Sequence, residues 1–192
     1  MVTYLLLVSD PATAYLANAM SELRKANTAY PYFLTFTVVG WIDVFTRERH
    51  CETVLDSLQY CISKKGLLVY AYVIMPSHIH MIARHDGEKL SGVIRDFKSF
   101  TATTILGSIE NESGESRKEW MLYMFRYYAK NQKQNAKHMF WQKTNYPLEL
   151  NYPEIFDQKL DYIHHNPVEA GYVNEASAWA VSYTHLTLPT IA

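Results

Sequence analysis

The sequence lacks the marks of several large protein classes. Its 192 residues include only two cysteines, Cys51 and Cys61. That is too few for a disulfide framework, and their spacing is not that of a zinc site. Both fall on a stretch patterned as a helix, and they are expected as reduced core residues of a cytoplasmic protein. No run approaches the roughly 20 apolar residues of a membrane span. Leu5 to Val8 is apolar, but no basic segment precedes it and Ser9-Asp10-Pro11 breaks it, so no export signal is expected. Neither acidic nor basic residues are in excess, with 19 Asp or Glu against 18 Lys or Arg. The formal net charge is −1, so a nucleic-acid function must rest on a local patch. Internal repeats are absent.

What remains is an ordinary globular composition, 48% hydrophobic, with tyrosine abundant at 15 residues. The length suits one domain with its own core. Tyr32 to Trp41 is β-branched and aromatic and reads as a central strand. Val54, Leu55, Leu58, Cys61 and Ile62 make a helical stripe over Thr46 to Lys64, with Gly66 as a stop. A second helix covers Lys89 to Leu106, with Arg95 and Lys98 off its apolar stripe. Gly107 to Ser116 reads as a loop and Arg117 to Lys130 as a third helix. Thr144 to Leu150 gives a short strand, and Pro153 opens a last helix that is expected to stop at Pro167. This element order implies an α+β fold, an antiparallel sheet with helices on one face, leaving the other face free for a site.

The local basic patch is in the second half. From Arg117 to Lys143 there are seven Lys or Arg against one acid, a net of +6. A lysine-rich solvated face would explain that equally well. Interleaved aromatics (Trp120, Tyr123, Tyr127, Phe140, Trp141) suit a strand-binding surface, because bases stack on rings while cations follow phosphates.

The stretch around which the rest is arranged is Tyr70 to Arg84. Two β-rich runs, Leu67 to Met75 and His78 to Arg84, are joined by a tight Met-Pro-Ser connection. Alternation places His78 and His80 on one strand face, where two imidazoles can share a metal ion. A bare His-x-His is more often two unrelated histidines. Here an apolar residue separates them and a hydrophobic strand leads in.

His78-Ile79-His80 resembles the histidine–hydrophobic–histidine motif of the HUH endonucleases. Leu34-Thr-Phe-Thr-Val-Val-Gly-Trp41 upstream and Lys159-Leu-Asp-Tyr-Ile-His-His-Asn-Pro-Val-Glu-Ala-Gly-Tyr-Val173 downstream resemble the REP-associated single-tyrosine transposases, and the three blocks keep that family's order. The resemblance implies a ferredoxin-like palm in one domain, residues 20–181, with residues 107–140 as a basic helical insert. Segments 1–19 and 182–192 depart from the family and are expected to be non-native or disordered ends.

The resemblance also implies a chemistry. Tyr162 corresponds to the nucleophile, which attacks a DNA phosphodiester to leave a 5′-phosphotyrosine and a 3′-hydroxyl. Because a neutral phenol is a weak nucleophile, a metal is needed at the phosphate. His78 and His80 supply two ligands. Asn166, one turn after Tyr162, is a candidate third, and His165 competes with it. Relatives imply Mg²⁺ or Mn²⁺, although imidazole ligands suit Zn²⁺, Ni²⁺ or Cu²⁺ better. The expected partner is single-stranded or hairpin DNA, not a membrane, and monomer and homodimer both stay open. Arg95, Lys98, Lys133 and Lys137 are candidate phosphate contacts. Trp141 and Gln142 are candidates to stack on or read a base at the hairpin foot.

Two other classes fit part of this pattern. A DNA-binding protein with a non-cutting metal site would share the basic insert without aiming Tyr162 at the metal. A metal-dependent hydrolase would activate water on the histidines and would want a carboxylate ligand, for which Asp161 is the nearby option.

Overall fold

Alternation along β1 (Tyr32–Thr37) divides the molecule into two apolar layers: Leu34 and Phe36 join one cluster and Phe33 the other. The computed structural model describes residues 29–85, 87, 90–111, 114–130, 137–180 and 182–184. Around β1 stand β2 (Leu67–Met75), β3 (His78–His85), β4 (Leu148–Glu149) and β5 (Ser182–Thr184). All pairings are antiparallel, in the order β4-β1-β3-β2-β5. The first four strands follow the ferredoxin-like split βαβ order. The fold is α+β, as the element order implied.

Three helices cover the Leu34 and Phe36 face: α1 (Glu48–Lys65), α2 (Leu90–Asn111) and α3 (Lys118–Lys130). Their inward residues include Val54, Leu58 and Cys61 from α1, Ile94, Phe97 and Ile105 from α2, and Met121 and Phe125 from α3. Gly66, at φ 66°, ends α1 in the left-handed turn that glycine permits, with Lys64 and Lys65 in the last turn near the negative end of the helix dipole. The thiols of Cys51 and Cys61 are free and buried, and burial pushes the Cys51 thiol up to about 11.

The closing helix, α4 (Pro153–Glu169), does not join this layer. It packs Phe156 and Ile163 on the opposite face, against Phe33, Val73, Met75 and Ile82. The reason is in the strands: their alternate residues are apolar as well, so the second face also needs cover. A bulge at Tyr70 contributes. The register slips between Val69 and Ala71, so that Val69 packs on the first layer and Ala71 on the second.

Several boundaries differ from expectation. β1 ends at Thr37 rather than Trp41, because the chain turns through Gly40 (φ 62°) and Trp41 (φ 55°). A Cβ at Gly40 would lie 2.8 Å from the Tyr128 ring, so the turn requires glycine for space as well as for backbone. α2 runs on through Gly107 to Asn111, carried by the i, i+4 pair Ile105 and Ile109, both fully buried. Ile62, expected on the apolar stripe of α1, is exposed. α4 passes through Pro167, whose missing N–H costs one bond in the last turn. It ends instead at Glu169, just before Gly171 (φ 74°), where Gly171 and Tyr172 donate their N–H groups to Val168 and Pro167. Ser182–Thr184 pairs with β2 as an edge strand, so at least three residues of the segment set aside as an end continue the sheet. Residues 1–19 and 185–192 lie outside the described residues. Among the described residues, no helix is long and apolar enough to cross a membrane.

Candidate functional site

The parity of β3 puts His78, His80 and Ile82 on the face that α4 covers. In the register, His80 lies between Thr35 of β1 and Val73 of β2, and His78 between Thr37 and Met75. Their ring centroids are 4.8 Å apart. From α4, Tyr162 comes down on His80: the rings meet edge-on at 5.1 Å, and the phenolic oxygen is 3.4 Å from Nε2, at the long limit of hydrogen bonding. Phe33 is stacked on His80 at 5.3 Å and meets the Tyr162 ring edge-on at 5.9 Å, fixing both.

Burial sets the charge of the pair. It pushes the His80 imidazole down to about 3, and the neighbouring His78 and Lys159 act in the same direction. His78 is lowered by burial. Both rings are therefore neutral at pH 7, with a lone pair available to a metal. Each ring has a partner at Nδ1: Thr35 Oγ1 at 2.9 Å for His80 and Ser77 Oγ at 3.3 Å for His78. With the proton on Nδ1, donated to Thr35, His80 presents the lone pair of Nε2 toward Tyr162. This outer-sphere arrangement is typical of ligating histidines. Lys159, one turn before Tyr162, places its ammonium 5.5 Å from the Tyr162 ring centre and 5.2 Å from that of Phe33.

The two imidazoles therefore fit a divalent ion, but a further protein ligand must be of another kind. Among the described residues, no three His, Cys, Asp or Glu side chains cluster as a metal site. Asn166 is buried on the Tyr162 side of α4, one turn on. His165 is exposed and donates Nδ1–H to the Asp161 carbonyl at 3.0 Å. Asp161 is also exposed, and among the described residues no carboxylate joins the two histidines in a cluster of three as the hydrolase reading would want.

The remaining candidates scatter. Trp141 is a core residue, stacked on Phe45 at 5.8 Å with Nε1 donating to Thr101 at 3.1 Å, so its ring is not open to a base. Lys98 donates to the Gln142 carbonyl (2.7 Å) and to Asn145 Oδ1 (2.6 Å), and burial pushes its ammonium down to about 8. Arg95 is exposed and pairs with Asp96 at 2.9 Å. Both lie on α2, across the sheet from the histidines. Gln142 is half-buried, with its N–H donated to Thr37. Lys137 is exposed and pairs with Glu110 at 3.0 Å, and Lys133 lies outside the described residues. Trp120, Tyr123 and Tyr127 are exposed along α3.

Thr35 and Lys159 lie within the motif blocks without a role of their own, and Phe33 lies outside them. The period of two would have placed Phe33 and Thr35 on one face of β1, but only the register shows that this face is the one carrying the histidines. Lys159 shares the Tyr162 stripe by helical spacing alone.

No family model matches the chain, and no curated protein does. Among solved structures it is similar to a REP-associated tyrosine transposase bound to a REP hairpin, with a TM-score of 0.56 and 17% identity, over 80% of this chain and 75% of that one. The likeness is one of fold.

Proposed function

We propose that this chain is a single-tyrosine DNA endonuclease of the transposase kind, cutting and rejoining a single strand beside a hairpin. The observation that supports this most is the Tyr162 hydroxyl facing Nε2 of His80, with His78 alongside. The fold it shares with a hairpin-bound transposase supports the partner.

In this reading the Tyr162 oxygen bonds to phosphorus as the bond to the upstream 3′ oxygen breaks. The strand is left with a 3′-hydroxyl and a 5′-phosphotyrosine. One phosphodiester replaces another, so a later 3′-hydroxyl rejoins strands without ATP. Phe33 holds the ring of Tyr162 by edge contact, and Lys159 sets a positive charge over the ring whose hydroxyl sheds its proton. His78 and His80, with Asn166 as candidate third ligand, would hold a divalent metal ion, Mg²⁺ or Mn²⁺. Bound there, the metal would polarise the scissile phosphate and take up charge on the leaving oxygen.

The test is a denaturing gel of the protein incubated with Mn²⁺ and a hairpin oligonucleotide carrying a single-stranded flank. A covalent protein–DNA adduct is the expected result. Free cut products would point to a hydrolase, and a shift on a native gel without cutting would point to a binding protein.

A further inference from the structure

The turn at 39–41 and the segment 139–144 bound a cleft of about 330 Å³ that has no role in the site described above. Val39 and Met139 line it with apolar surface, Tyr128 contributes an aromatic ring, and Gln142 and Thr144 contribute polar groups. Lys143, also in the lining, is exposed and makes no ion pair among the described residues. The two segments are joined by backbone bonds from Val39 N–H to Phe140 and from Gln142 N–H to Thr37. Next to the cleft, Trp41 is 61% exposed, and its ring meets His78 edge-on at 5.3 Å. Trp41 (φ 55°) and Tyr146 (φ 44°) are the non-glycine residues with left-handed backbone among the described residues. One adjoins each wall, and such strain gathers at ligand clamps.

We propose that this cleft takes one unpaired nucleobase of the DNA strand held at the histidine–tyrosine site. Tyr128 is the stacking wall and Lys143 the contact to that nucleotide's phosphate. The inference rests on the reading of the chain as a single-strand DNA enzyme, and it adds a base-binding subsite to it. A base has a π-face for Tyr128, an edge for Gln142 and Thr144, and a phosphate for an unpaired cation; stacking of this kind tolerates any base. Trp41 directly follows Gly40 of the cleft wall and its ring meets His78, so an occupied cleft directs the neighbouring nucleotides toward the histidines.

The experiment uses the full chain carrying Tyr162→Phe, which binds without cutting, and hairpin oligonucleotides with an abasic site at each flank position in turn. One position should weaken binding by about tenfold. That penalty should vanish when Tyr128→Leu is added, while adding Lys143→Ala should lower the slope of log affinity against log salt by about one. If Tyr128→Leu does not fold, Trp41→Gly, which relaxes the backbone at an exposed position, should shrink the same penalty. A penalty at no position, or one that survives the Tyr128 or Trp41 change, overturns the proposal. If wild type forms the adduct and the penalty still survives, only the cleft is wrong. If no oligonucleotide binds, the DNA reading falls with it.

Discussion

The Thr35 hydroxyl lies 2.9 Å from Nδ1 of His80, across the β1–β3 pairing that sets the two residues opposite each other. It is the groove of the sheet, not a loop, that orients this imidazole. Thr35→Val keeps the shape and removes the partner. It should lower Mn²⁺ affinity about 10–100-fold and leave the melting temperature near that of wild type. Calorimetric titration of Mn²⁺ into both proteins measures this, and equal affinities would show that the threonine does not orient a ligand.

Lys98 gives a prediction opposite to the one its position on α2 suggests. Its ammonium holds the Gln142 carbonyl and Asn145, so it secures the segment that walls the cleft. Lys98→Met should lower the unfolding free energy by about 1–3 kcal/mol, because an acceptor loses its donor. The salt dependence of DNA binding should stay as it is. A slope reduced by about one unit would return Lys98 to the phosphate contacts.

Glu115 supplies a pH signature. Its carboxylate is buried between Arg47 (2.9 Å) and Arg117 (3.3 Å), which link the start of α1 to the start of α3. The Arg47 hydrogen bond holds the carboxyl at about 2, below its ordinary 4.5. The native state thus binds this proton less readily than the unfolded chain. The contribution is whole above pH 4.5, shrinks as pH falls below it and is gone near pH 2. Glu115→Gln should therefore lose most stability relative to wild type at pH 6 and much less at pH 3. Urea midpoints at the two pH values check this, and a constant difference would contradict it.

Much of this was written in the sequence because it depends on local periods. The hairpin of His78 and His80, the helical stripes and the α+β order all follow from spacings of two and of three to four residues. What depended on distant pairing was not legible. Glu115 sits in a polar stretch that reads as a loop, and its burial follows from Arg47, far back in the chain. Trp141 reads as a surface aromatic within a basic run, but its indole N–H finds Thr101 inside the core. The face taken by α4 could not be read from its own stripe, since an amphipathic helix fits either side of a sheet that is apolar on both.

The central claim is that Tyr162 is the nucleophile and that the histidines serve it as ligands. Tyr162→Phe removes one oxygen and keeps the ring packed against Phe33 and His80. His80→Ala keeps the oxygen and removes a ligand. The direct measurement is adduct formation with a hairpin oligonucleotide carrying a single-stranded flank, on denaturing gels, beside Mn²⁺ affinity for each protein. Tyr162→Phe should bind Mn²⁺ and DNA like wild type and form no adduct. His80→Ala should lose both metal affinity and adduct, since residues that act as a unit fail together. An adduct on the Tyr162→Phe protein would contradict the account and turn attention to Tyr172.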